Sequence, residues 1–109
     1  LGIERLEHDG CQTLVLAGEL ELVTTPKLEL AVSGVCACAP RELEIDLRGV
    51  SFIDSTGLRG LIVAKETCAQ HAVALFLRGA EDARQRRLFE AAGLLDHFPW
   101  REPGVRNAL

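Results

Sequence analysis

The stretch LEIDLRGVSFIDSTGLRGL, residues 43–61, decides how this chain is read. Its first half alternates: Leu43, Ile45 and Leu47 point one way, and Glu44, Asp46 and Arg48 the other. A period of two is the mark of a half-buried strand. From Ser55 to about Gln70 the period lengthens to that of a helix. Leu58, Leu61, Ile62, Cys68 and Ala69 share one face, with Lys65 at its edge. Gly57, Gly60 and Ala64 form a strip of small residues suited to close backbone approach. Two early glycines weaken a helix by roughly 1 kcal/mol each relative to alanine, so tertiary contact at that end must compensate. A strand that runs into a helix in this way leaves Ser55 at one rim of a sheet. A hydroxyl so placed can be a nucleophile, a helix cap or a target for modification.

Upstream, GIERLEH and CQTLVLAGEL flank Asp9-Gly10, a two-residue hairpin signal. In the second of these strands Leu14 and Leu16 oppose Thr13, Val15 and Ala17. Both faces are largely apolar, as in a central strand. TTPKLELAVSGV then reads as a helix, with Thr25 as N-cap, Pro26 in the first turn and Leu28, Ala31, Val32 and Val35 on one stripe. Pro40 closes it. Downstream, residues 72–77 form a compact apolar strand. EDARQRRLFEAAG forms a third helix with Leu88, Phe89 and Ala92 inward and Gly93 at C′. Leu94, Leu95 and Phe98 should drop onto the core, and an irregular tail, with room for one short helical turn, begins at about residue 99. The order is β-β-α-β-α-β-α. It predicts one α/β domain over residues 1–109, with a mixed four- to five-stranded sheet, a β-hairpin plus parallel strands, covered by helices on one side.

Composition narrows the function. Hydrophobic residues make up 48% and charged residues 26% of the 109, which describes a globular domain and not a disordered tail. The net charge of −4 argues against a general nucleic-acid binder. Arg84, Arg86 and Arg87, with Arg78 upstream, read as the solvated face of a helix. No apolar run approaches the ~20 residues of a membrane span, so no membrane insertion is expected. The first ten residues lack the apolar centre of a signal peptide, and with no methionine anywhere the chain reads as processed or trimmed. Cys11, Cys36, Cys38 and Cys68 match no zinc spacing and are expected to be free thiols in a reducing cytosol.

Catalysis finds little support. A nucleophilic Ser55 needs a base within reach and a third group to orient it, and DSTGL is not the G-x-S-x-G elbow. His8, His71 and His97 lie in other elements of the pattern. No phosphate-cradling glycine motif is present. Two readings remain. As an N-cap, Ser55 would accept from a first-turn N–H. As a modification site, it would place a phosphate where free N–H groups and the helix dipole favour it, adding about −1.5 to −2 charges beside Asp54.

Three blocks in order carry a resemblance. GELELVTTPKL (18–28), LEIDLRGVSFIDSTGLRGL (43–61) and RRLFEAAGLLDHF (86–98) are similar to the blocks of STAS-domain anti-sigma factor antagonists of bacteria. The resemblance implies the STAS fold and a non-catalytic, cytoplasmic switch with no cofactor and no metal. It implies an unphosphorylated form that binds an anti-sigma factor and so frees the sigma factor. That partner would also be an ATP-dependent serine kinase of the histidine-kinase-like ATPase type, and a PP2C-type phosphatase would reverse its action. The phosphoacceptor maps onto Ser55 and its flanking acid onto Asp54. Glu21 and Thr24 in the first block, and Asp54, Thr56, Gly57, Leu58 and Arg59 in the second, map onto the partner-binding surface. The family pattern is not met everywhere. Glu21 replaces the usual Asp, the Gly-Gly before the fourth strand is missing, Gln85 sits where an apolar residue is usual, and Arg59 stands where a small residue is common. The last places a cation beside the phosphosite, where it is expected to tune partner choice or phosphate affinity; Glu21 bears on a partner contact, and the other two read as tolerated structural variation. The same fold also serves as an accessory subunit of lipid ABC systems and as a domain of anion transporters, without a phosphorylation cycle. Redox control through Cys36 or Cys38 is a third reading.

Overall fold

Asp9 and Gly10 both adopt positive φ, 48° and 79°, the twist a two-residue hairpin requires. They join strands β1 (Gly2–His8) and β2 (Cys11–Leu20), which pair antiparallel with His8 opposite Cys11. The computed structural model describes residues 1–102. After β2 come α1 (Thr25–Ala37), β3 (Glu42–Ile53), α2 (Ser55–Gln70), β4 (Ala74–Arg78), α3 (Ala83–Ala91) and a 3₁₀ turn at Leu95–His97. The sheet order is β1-β2-β3-β4, and β2, β3 and β4 run parallel. A single bridge from Trp100 to Leu77 adds the start of a fifth strand, held by Leu77 N–H to the Pro99 carbonyl (2.9 Å) and Arg101 N–H to the Leu77 carbonyl (2.6 Å). The expected four- to five-stranded mixed sheet is therefore found. No helical turn occurs among residues 99–102, and the rest of the tail lies outside the described residues.

The core forms on one face of the sheet. Leu14 and Leu16 of β2, Leu43, Ile45 and Leu47 of β3, and Leu75 and Leu77 of β4 bury there against Leu28, Val32 and Val35 of α1 and Leu58, Leu61, Ala64 and Cys68 of α2. Phe89 of α3 closes the cluster, with Phe98 and Trp100 edge-on to its ring. Ala69 and Ala92, read as inward, are exposed. Ala69 lies in the last turn of α2, and Ala92 is the C-cap residue just past the end of α3. β4 also starts two residues later than expected, because Ala72 takes φ 57° to reverse the chain after α2.

β3 is longer than its alternating segment. Its twelve residues face ten of β2, and the surplus is absorbed in two register shifts, opposite Val15/Ala17 and Gly18/Glu19. Gly49 stands at the first of them, where a Cβ would lie 2.7 Å from the Leu16 carbonyl oxygen. The shifts let β3 run on as far as Ile53 and deliver Asp54 to the rim beside the end of β2, where its N–H reaches the Leu20 carbonyl at 3.2 Å.

The other face of the sheet holds charge. Glu44 and Asp46 are buried there, under arginines. Arg78 donates to Glu44 (2.9 Å), Arg101 to Glu42 (2.9 Å) and Glu44 (3.3 Å), and Arg48 to Asp46 (2.8 Å). Arg78 thus belongs to this layer and not to a basic surface, whereas Arg84, Arg86 and Arg87 are exposed on α3 as expected.

Candidate functional site

Asp54 organises the site. It is extended (φ −98°, ψ −176°) and is the N-cap of α2, with Oδ1 accepting from the Gly57 N–H at 2.8 Å. The cap expected at Ser55 is therefore made one residue earlier. The carboxylate reaches the third N–H of the helix, which leaves Ser55 as the first helical residue with no cap to make. Its hydroxyl has no hydrogen-bond partner among the described residues, and the residue is exposed. None of the three histidines bonds to it: His71 Nδ1 lies on the Thr67 carbonyl, His8 beside Asp9 and His97 against Phe98.

The second oxygen of Asp54 leaves the helix. Oδ2 accepts from the Leu22 N–H at 3.1 Å and so ties the β2–α1 turn to the mouth of α2. Within that turn Glu21 Oε1 accepts from the N–H groups of Val23 and Thr24, each at 3.1 Å. Thr24 Oγ1 accepts from the Glu21 N–H (3.0 Å) and donates to the Glu19 carbonyl (2.8 Å). Thr25, expected as the N-cap of α1, is its first residue instead. Its hydroxyl donates to the Glu21 carbonyl at 2.7 Å. The turn is thus braced by Glu21 and Thr24, both half-buried, while Leu22 (67% exposed) and Val23 (78% exposed) project from it.

The small residues of α2 bring these parts together. A Cβ on Gly57 would lie 2.3 Å from the Leu20 carbonyl oxygen, and one on Gly60 2.5 Å from Thr25 Cγ2. Leu58 is buried and Thr56 half-buried. Arg59, one turn on from Ser55, is exposed and has no ion-pair partner among the described residues. Ser55, Thr56, Leu58, Arg59, Ile62 and Leu94 line a shallow depression of about 510 Å³. Phe52, three residues before Ser55 and next to the end of β3, is 52% exposed. Of the seven residues expected on the partner-binding surface, Glu21, Thr24, Asp54, Thr56 and Arg59 gather at the rim with Ser55, whereas Gly57 and Leu58 are buried, Gly57 against the Leu20 carbonyl. The sequence reading passed over Leu22, Val23 and Phe52. Their signal was available, as apolar side chains with no place in either flanking period.

The STAS domain model matches residues 3–108. This chain belongs to the STAS domain family. The anti-sigma-B factor antagonist of Staphylococcus aureus is 33% identical to it over 96 residues, covering 88% of each chain. An anti-sigma factor antagonist from Mycobacterium paratuberculosis superposes with a TM-score of 0.76 at 32% identity, over 95% of this chain and 86% of that one. SpoIIAA, an anti-sigma factor antagonist solved in its unphosphorylated form, gives 0.71 at 16% identity over 95% and 90% of the two chains, a likeness of fold alone. The STAS domain here is thus of the anti-sigma factor antagonist kind. Among its described residues no helix is long and apolar enough to cross a membrane, and no group of three or more His, Cys, Asp or Glu could hold a metal ion.

Two thiols and one amide complete the picture. Cys36 and Cys68 lie with their sulfurs 3.9 Å apart between α1 and α2, both buried and both free. Burial, and then the neighbouring Cys36, push the Cys68 thiol up to about 12. Gln85, read as tolerated variation, has a specific task. Its Nε2 donates to the carbonyls of Leu47 (2.9 Å) and Val50 (3.0 Å), on the part of β3 that extends past its pairing with β4. An apolar residue at this position would leave both carbonyls without that donor.

Proposed function

We propose that this STAS domain antagonises an anti-sigma factor by binding it across the rim that carries Ser55, and that phosphorylation of Ser55 ends the binding. One observation carries the reading. Ser55 is exposed and first in its helix, its hydroxyl has no partner among the described residues, and the braced turn that holds Leu22 and Val23 outward is fastened to the residue beside it. Exposed apolar side chains around a modifiable hydroxyl suit a surface that meets a protein partner and can be refused to it. A phosphate adds about −1.5 to −2 charges there, and a change of ~1.4 kcal/mol in binding is already tenfold in affinity.

The names of the relatives support an anti-sigma factor as the partner. Its identity as an ATP-dependent serine kinase of the histidine-kinase-like ATPase type, the reversal by a PP2C-type phosphatase and a cytoplasmic setting belong to the same proposal. In it the domain is a regulator and performs no catalysis. Glu21 and Thr24 shape the docking turn, Asp54 fixes it, Thr56 and Arg59 flank the phosphoacceptor on the open side of α2, and Gly57 and Leu58 seat that first turn against the body of the domain.

The test is direct. Incubated with its cognate kinase and ATP, the protein gains one phosphate, and Ser55→Ala gains none. Phosphate on that variant at the wild-type level overturns the assignment. Capture from the native cell separates the partner classes: unmodified protein retains a kinase-like ATPase that Ser55→Asp does not, whereas a transporter domain retains a permease.

A further inference from the structure

We infer that Arg59 is the internal clamp of the phosphorylated state: its guanidinium pairs with a phosphate on Ser55, one turn back along the same helix face. The inference rests on the reading of Ser55 as the phosphoacceptor, and adds to it a residue that holds the modification once made.

Three observations lead there. Ser55 and Arg59 stand at i and i+4 in α2 and line the same depression. Residues so spaced have Cβ atoms about 6 Å apart, and an acid N-terminal to a base is the favourable order along the helix dipole. Second, Arg59 has no ion-pair partner among the described residues, so no existing ion pair must break for it to turn to the phosphate. Third, the competing donors of the first turn are partly used. The Gly57 N–H is taken by Asp54 Oδ1 (2.8 Å) and the Leu58 N–H by the Asp54 carbonyl (3.0 Å). The N–H groups of Ser55 and Thr56 have no partner among the described residues. A phosphate on Ser55 would meet these two donors and, immediately before them, the carboxylate of Asp54, which opposes it. Apart from Arg59 the depression is lined by hydroxyl and apolar side chains. Of the other acids at this end of the sheet, Glu21 has one oxygen held within its own turn, and Glu19 is exposed on β2 opposite Phe52. Arg59 is therefore the cation that offsets the crowding of negative charge, and its planar fork can take two phosphate oxygens at once.

This separates two effects of the modification. The added charge changes what a partner meets, while Arg59 draws the phosphate down along α2, away from Asp54. Losing the clamp leaves the acceptor in place and makes the phosphorylated form less stable relative to the free serine.

The test uses full-length chain with phosphoserine placed at position 55 by semisynthesis, so that it does not depend on any kinase. The phosphorus resonance is followed against pH at low ionic strength, in wild type and Arg59→Gln. A nearby cation favours the dianion, so removing it raises the midpoint, here by roughly 0.2–0.4 of a unit. Arg59→Lys should recover part of the difference, and salt should shrink it. Coincident midpoints in wild type and Arg59→Gln overturn the clamp. A second readout needs no variant: the Arg59 Nε–H resonance should shift and exchange more slowly in the phosphorylated wild type, and an unchanged resonance counts against the pairing. If the cognate kinase proves to modify another residue, the titration still reports on the Ser55–Arg59 pair, so the two ideas fail separately.

Discussion

The Asp54 carboxylate accepts the Leu22 backbone N–H at 3.1 Å, and this bond joins two segments 32 residues apart. Its other oxygen caps α2 at Gly57. One side chain thus fixes both the helix that presents Ser55 and the turn that presents Leu22 and Val23. Asp54→Ala should lose the cap and the tie together. Loss of an N-cap alone costs about 1 kcal/mol, which for a domain of this size lowers Tm by roughly 4–8 °C. Affinity for the anti-sigma factor should fall further than that stability loss explains, because the turn is freed. Asp54→Asn keeps an acceptor for only one of the two bonds and should fall between. Thermal melts and binding by titration calorimetry check the order; equal affinities in the three proteins would show that the tie does not matter.

A second outcome concerns the glycines of α2. Helix propensity alone predicts that alanine at either position would help by roughly 1 kcal/mol. The packing predicts otherwise, and differently for the two. A Cβ at position 57 meets a strand carbonyl at 2.3 Å, so Gly57→Ala must displace backbone and should cost roughly 1–3 kcal/mol. At position 60 the obstacle is the Thr25 methyl at 2.5 Å, which can be removed. Gly60→Ala should destabilise wild type and be largely restored by Thr25→Ser, which keeps the hydroxyl bonded to the Glu21 carbonyl. Urea denaturation of the four proteins in that cycle measures the coupling, expected at ~0.5–3 kcal/mol. No coupling would place the strain elsewhere.

These contacts also mark how far the sequence could be read. Strands and helices were legible because Leu43, Ile45 and Leu47, or Leu28, Val32 and Val35, keep one period against one sheet. The close approach of α2 was legible in the strip Gly57, Gly60, Ala64. Three things were not. The cap moved from Ser55 to Asp54 because both are good capping residues, and only the backbone at Asp54, extended where the strand ends, chooses between them. The burial of Glu44 depended on Arg78 and Arg101, one on a neighbouring strand and one in the tail, which no local period reveals, whereas Asp46 is paired with Arg48 only two residues on. Gln85 looked like a polar residue out of place because its partners, the Leu47 and Val50 carbonyls, lie over thirty residues away on a strand edge.

The cysteines give a prediction in the alkaline range. The Cys68 thiol is pushed from an ordinary 9.0 to about 12, by burial first and by Cys36 beside it. A group whose folded pKa is raised lends its stability in full below the unfolded value and loses it as pH climbs towards the folded one. Unfolding should therefore become easier between about pH 9 and 12, as the unfolded chain ionises a thiol that the folded chain keeps neutral. The chain has no tyrosine to titrate in that window. Cys68→Ala leaves a small void and lowers stability at every pH, but it should flatten the decline. The slope of the urea midpoint against pH, and not its absolute value, is the readout. The same burial predicts that a disulfide reagent at neutral pH labels one thiol of the folded protein, Cys38, which alone among the four is exposed. Rapid labelling of Cys36 or Cys68 in the native state would show that α1 and α2 part more readily than their packing implies.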